Sequence, residues 1–162
     1  MEMKLVEDSY FTRGMNCWGW ATWKNRWRYF EKKPQKIINQ WTKKKIKDFN
    51  FENTFNFFSQ ITRNNNKSLN SWAIFWYATI FDKNKLCLNP KISLTQNIGI
   101  GKKSTNTNTI EKVFETRLKV NRIQQFTFPK KIKENLTAFN SIKYEFKKNK
   151  KANFFKKFFK II

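Results

Sequence analysis

The 162 residues suffice for one domain, and 40% hydrophobic residues with 18% aromatics provide for a packed core. A formal charge of +23, from 34 basic against 11 acidic residues, points to an acidic partner (nucleic acid, anionic lipid or a phosphorylated substrate), or to the Lys-, Asn-, Ile- and Phe-rich usage of an AT-rich coding sequence. The lack of histidine excludes Ser-His and Cys-His catalysis, histidine-ligated metals and an imidazole pH switch.

Residues 1–8 read as a ragged start without the apolar run of a signal peptide. Tyr10 and Phe11 read as extended chain, and Gly19 permits a tight turn. Four of the seven tryptophans follow within Asn16 to Trp27. Trp20, Trp23 and Trp27 stand at i, i+3 and i+7, so the spacing predicts a helix with one indole face. Such a face is either a core anchor or a binding platform, and Trp18, beside the turn, is the ligand-facing candidate.

Pro34 should break or restart a helix, and Gln35 to Lys47 predicts a basic amphipathic helix carrying Ile38, Trp41 and Ile46. A helix is expected from about Glu52 to Thr62, burying Phe55, Phe58 and Ile61, and ended by the Asn64-Asn65-Asn66 loop. Ser71 is placed to cap a helix that is apolar nearly all round from Trp72 to Phe81 and therefore buried. That run is too short to span a bilayer. Trp20, Trp23, Trp72, Ile74 and Phe81 are expected in one helical core.

Leu86 to Leu88 predicts a short strand stopped by Asn89-Pro90. Gly99 and Gly101 lack the residues of a P-loop. A strand bearing Phe126 and Phe128 should end at Pro129, and the following helix carries Ile132, Leu136, Phe139 and Ile142. After the lysine run 147–151, residues 150–162 pair Phe155 and Phe158 with Lys156, Lys157 and Lys160. That pattern suits an anionic membrane surface, or an end helix packed on the domain. Cys17 and Cys87 fit neither a zinc motif nor a disulfide framework, which indicates a reducing, cytoplasmic setting, peripheral on the inner face of the membrane if the tail binds lipid.

Ser9-Tyr10-Phe11-Thr12-Arg13-Gly14, running into Cys17-Trp18-Gly19-Trp20-Ala21-Thr22-Trp23 and Arg26-Trp27, resembles the distal half of bacterial family 2-like glycosyltransferases of the GT-A fold. Ser71-Trp72-Ala73-Ile74, Trp76, Leu88-Asn89-Pro90-Lys91, Ser93-Leu94 and Asn97-Ile98-Gly99 resemble that family's later motifs in order and spacing. The resemblance covers about residues 9–107 and implies an α/β (α+β-like) fold. This would be the distal, acceptor-side part of a nucleotide-diphospho-sugar transferase, mostly helices with a few short strands. Residues 9–128 would be the transferase portion and 129–162 a basic helical extension.

The resemblance also implies what the chain must receive from elsewhere. A complete enzyme would use Mg²⁺ or Mn²⁺ held by an Asp-x-Asp pair to neutralise the departing diphosphate, and no such pair is present. Where relatives carry a carboxylate before the Ser-Trp pair stands Asn70, which cannot act as a base, and Phe75 replaces an arginine. No catalytic or metal-binding residue is therefore assigned. Trp18 and Trp72 are candidates to stack on sugar faces, with Arg13, Lys24 and Arg26 facing diphosphate or an acidic acceptor. The expected partners are a nucleotide sugar and a glycan or lipid-linked acceptor. The alternative is a basic nucleic-acid-binding or membrane-surface protein without catalysis.

Overall fold

In the computed structural model the described residues are 5, 7–96 and 126–158, residues 150–158 as backbone alone. They form a mixed fold of helices and a small two-stranded antiparallel sheet. Strand β1 (Ser9–Thr12) and strand β2 (Cys87–Pro90) pair with Tyr10 opposite Asn89 and Phe11 opposite Leu88. Pairing runs on to Pro90, which a proline tolerates at a strand end because its missing N–H falls outside the ladder. β1 agrees with the extended segment expected at Tyr10 and Phe11, whereas β2 starts one residue later than expected and runs through the Asn89-Pro90 pair expected to stop it.

Asp8, just before β1, is tied to a distant part of the described chain. Asp8 accepts hydrogen bonds from the Thr127 N–H at 3.1 Å and the Thr127 hydroxyl at 2.7 Å, and its own carbonyl accepts from Lys91 N–H at 2.7 Å. These bonds replace the strand expected at Phe126 and Phe128. Thr127 meets Asp8 and Ser9 through side chains, so residues 126–129 join no sheet.

Helix α2 (Pro34–Gln40) starts on Pro34, where the missing N–H costs nothing. The single helix expected over 35–47 is two, because Trp41 turns extended at the end of α2 and Thr42 caps α3 (Lys43–Phe49) by accepting from Lys45 N–H at 3.2 Å. The break lets Trp41 turn inward, and its indole N–H donates to Asp82 Oδ1 at 3.1 Å. The helix expected from Glu52 starts later, as α4 (Phe58–Asn65). Phe51, Glu52 and Asn53 instead take left-handed backbone at φ 49°, 56° and 63°, a conformation that costs non-glycine residues energy and needs tertiary support. Phe51 finds it in the core, its ring 5.2 Å from that of Phe139.

Helix α5 (Ala73–Asp82) is the buried centre: Ile74, Phe75, Trp76, Tyr77, Ala78 and Thr79 are all buried. Trp72, not Ser71, occupies its N-cap and makes no side-chain cap bond, while Ser71 N–H donates to Asn64 Oδ1 at 3.0 Å. Tyr77 stacks on Phe49 at 4.2 Å and donates its hydroxyl to the Phe49 carbonyl at 2.8 Å. Burial pushes that phenol's pKa up.

Helix α6 (Leu136–Phe158) continues through the lysine run to Phe158. It contributes Phe139 and Phe146 to the core cluster around α5. Ile132 and Leu136, expected on its apolar face, are exposed. Among the described residues no helix is long and apolar enough to cross a membrane.

Candidate functional site: an indole surface

Helix α1 (Lys24–Trp27) is only four residues long, with Trp23 extended at its N-cap. A helix this short cannot hold i, i+3 and i+7 on one face. Trp23 consequently points out, 75% exposed, against the expectation of burial. Trp20 and Trp27 still meet, with ring centroids 5.5 Å apart, because both lean on α5 rather than on one helical face.

Trp72 and Trp76 stand one helical turn apart and project together from the first turn of α5. Trp20 lies 5.2 Å from Trp72 and 6.3 Å from Trp76; Trp27 lies 6.1 Å from Trp72 and 5.0 Å from Trp76. Phe30 stacks on Trp27 at 4.6 Å with planes 7° apart. Trp76 is buried beneath while Trp72 is 41% exposed, so the cluster is a floor of indoles open to solvent on one side. The expectation that Trp72 is core is corrected: at the N-cap of α5 it stands before the run that points inward.

The Gly19 turn sits in left-handed backbone at φ 66°, and a Cβ there would fall 2.2 Å from Thr95 Cγ2. Glycine is required on both counts. Trp18 flanks the turn half-buried, and its carbonyl accepts from the Thr95 hydroxyl at 3.3 Å.

The cations divide into two groups. Arg13 is committed to the fold: its backbone N–H donates to Glu134 at 3.0 Å, its Nε donates to both carboxylate oxygens at 2.9 and 3.1 Å, and its Nη2 closes a bidentate pair. Its guanidinium also lies 4.6 Å from the Phe139 ring centre. Burial disfavours the Glu134 charge, but the Arg13 hydrogen bonds outweigh it and hold the carboxyl below its ordinary range. Lys24 and Arg26, by contrast, are exposed on α1 and form no ion pair among the described residues.

No protein-family model, curated protein or solved structure matches this chain. The site therefore stands on its own geometry.

Sequence reasoning missed a cluster built on Tyr29, two residues after Trp27. Arg28 donates to the Tyr29 hydroxyl at 3.1 Å, and Lys83 Nζ lies 4.4 Å from the centre of the Tyr29 ring. The Arg28 hydrogen bond, helped by the surrounding positive charge, lowers the Tyr29 pKa. Nothing local in the sequence links Lys83 to Tyr29.

Asn70, expected from the resemblance to stand in place of a carboxylate, accepts from Lys32 Nζ at 2.6 Å. Phe75 is fully buried. Among the described residues no group of three or more Cys, Asp or Glu could hold a metal ion. Phe155, Lys156, Lys157 and Phe158 lie on the α6 backbone with side chains outside the described residues, and Lys160 lies outside them altogether, as do Gly99 and Gly101.

Proposed function

We propose that this chain supplies the acceptor-side surface of a GT-A-type glycosyltransferase, which moves a sugar from a nucleotide sugar to a glycan or lipid-linked acceptor. The carrying observation is convergence. Trp20 and Trp27 from the first family-like block meet Trp72 and Trp76 from the second, about fifty residues later, in one solvent-open indole floor. An indole offers a flat apolar wall to the C–H face of a pyranose, with polar groups at its rim to orient hydroxyls. Of the three candidate cations, Lys24 and Arg26 form no ion pair among the described residues and would meet a phosphate or an acidic acceptor.

In this reading the nucleotide, its Mg²⁺ or Mn²⁺ and the catalytic base are held by residues outside these 162. Here Asn70 and Lys32 occupy the neighbourhood of the missing carboxylate, and an amide cannot take the acceptor's proton.

The test is a titration of soluble neutral and acidic oligosaccharides, followed by tryptophan fluorescence. Saturable quenching, weakened at least about tenfold in Trp72→Ala, supports the reading. A second reading, single-stranded nucleic-acid binding, is favoured by the exposure of Trp23 and Trp72 beside Lys24 and Arg26, since bases stack on exposed rings next to cations. Quenching by an oligonucleotide with no response to any oligosaccharide would replace the first reading with the second.

A further inference from the structure

Residues 128–136 precede and open α6. Within this stretch Phe128, Ile132 and Leu136 are 60, 82 and 63% exposed. Isolated exposed apolar residues are ordinary, but three within nine residues concentrate apolar exposure in one short stretch. Between them stand Lys130, Lys131 and Lys133, all exposed and in no ion pair among the described residues. The single acid of the stretch, Glu134, has its carboxylate bound by Arg13. The outward surface therefore combines three protruding apolar side chains with three uncompensated positive charges.

The stretch is held firmly rather than trailing. Glu134 bridges to Phe11 beside the sheet, Asn135 N–H donates to the Phe11 carbonyl at 2.9 Å, and Asn135 Oδ1 caps α6 by accepting from Ala138 N–H at 2.9 Å. Apolar side chains presented on a fixed backbone lose little entropy when they are buried by something else.

We infer that residues 128–136 dock the protein on an anionic lipid bilayer. Phe128, Ile132 and Leu136 enter the boundary between headgroups and acyl chains, while Lys130, Lys131 and Lys133 meet the anionic headgroups. The aliphatic members select lipid over nucleic acid, because Ile and Leu have no π face for a base to stack on. The net charge of +23 adds long-range attraction towards the same surface. This inference stands independently of sugar binding.

The test compares the full chain with Ile132→Ser/Leu136→Ser, with Lys130→Gln/Lys131→Gln/Lys133→Gln, and with Phe155→Ser/Phe158→Ser. Each is assayed for pelleting on phosphatidylcholine vesicles with and without phosphatidylglycerol, and for retention on single-stranded DNA. The parent is expected to pellet on the mixed vesicles only. The serine pair at 132 and 136 is expected to weaken pelleting at least about tenfold with DNA retention and melting temperature unchanged, since both residues are exposed. The triple glutamine variant is expected to lose about as much, in line with headgroup attraction to each lysine. Pelleting unchanged in the 132/136 variant, equal binding to phosphatidylcholine alone, or loss confined to the 155/158 variant would each overturn the inference.

Discussion

The ammonium of Lys32 donates to Asn70 Oδ1 at 2.6 Å, joining the chain after the tryptophan turn to the residue that precedes the second motif. The contact sets a neutral amide beside a cation. Asn70→Asp should convert it into an exposed ion pair worth up to about 1 kcal/mol. The new carboxyl should titrate below an ordinary aspartate, as followed by NMR; an unshifted value would show that Lys32 does not hold that position in solution.

Because Asn70 is no base, the purified chain with a nucleotide sugar and Mg²⁺ or Mn²⁺ should give no sugar transfer. Turnover abolished by a chelator would overturn this and direct attention to Asp48, Glu52 or Asp82 as metal ligands.

Burial decides what a mutation costs. Phe75 is fully buried, so Phe75→Ala should destabilise by about 3–5 kcal/mol. Trp23→Ala, at a largely exposed residue, should stay within about 0.5 kcal/mol. Denaturant unfolding of the two variants measures both, and comparable losses would contradict the short, outward-facing α1.

The Arg13–Glu134 pair links stability to acid. The Glu134 carboxyl is held below its ordinary 4.5 in the folded state, so it contributes stability that is fully present above about 4.5 and lost as pH falls through the folded value. Glu134→Gln should flatten that part of the stability-against-pH curve. It should also cost about 3–5 kcal/mol near neutrality, because a half-buried guanidinium is left without its counter-charge. A wild-type slope retained in Glu134→Gln would assign the acid sensitivity to another carboxylate.

Two glycines are set by contacts that differ in kind. At Gly14 an added Cβ would lie 2.6 Å from Phe51 Cζ, and at Gly19 it would meet Thr95 in left-handed backbone. Gly14→Ala should cost about 1–3 kcal/mol by overpacking. Gly19→Ala should be only partly rescued by Thr95→Ser, which removes the clashing methyl but leaves the backbone strain. Full rescue in the double variant would mean that the backbone conformation costs nothing.

Much of the scaffold was legible because its signals are local. A ten-residue apolar run bounded by turn formers gives α5, Pro34 starts α2, and short apolar segments give β1 and β2. What the sequence hid depends on distant partners. The left-handed run at Phe51 to Asn53 has no local signature and is held by packing on Phe139. The tryptophan spacing suggested one helical face, yet the same residues cluster by leaning on α5. Of the candidate cations, Arg13 turned out to be committed to the fold because its partner lies 121 residues away, beyond any pattern that spacing can reveal. Trp72 was misplaced as core, since an apolar run does not show which residue is its cap.

The first strand is tied to the last third of the chain. Phe11 receives a hydrogen bond from Asn135 and Arg13 is gripped by Glu134, while the strand's ladder partner is β2. During synthesis, then, Arg13 leaves the ribosome 121 residues before the partner that meets its charge. Folding should proceed in one late, cooperative step rather than from the N-terminus forward. A nascent chain stalled before residue 134 would expose the Phe51 and Tyr77 surfaces with Arg13 unpaired, making such intermediates natural clients for a chaperone that binds exposed aromatic surface.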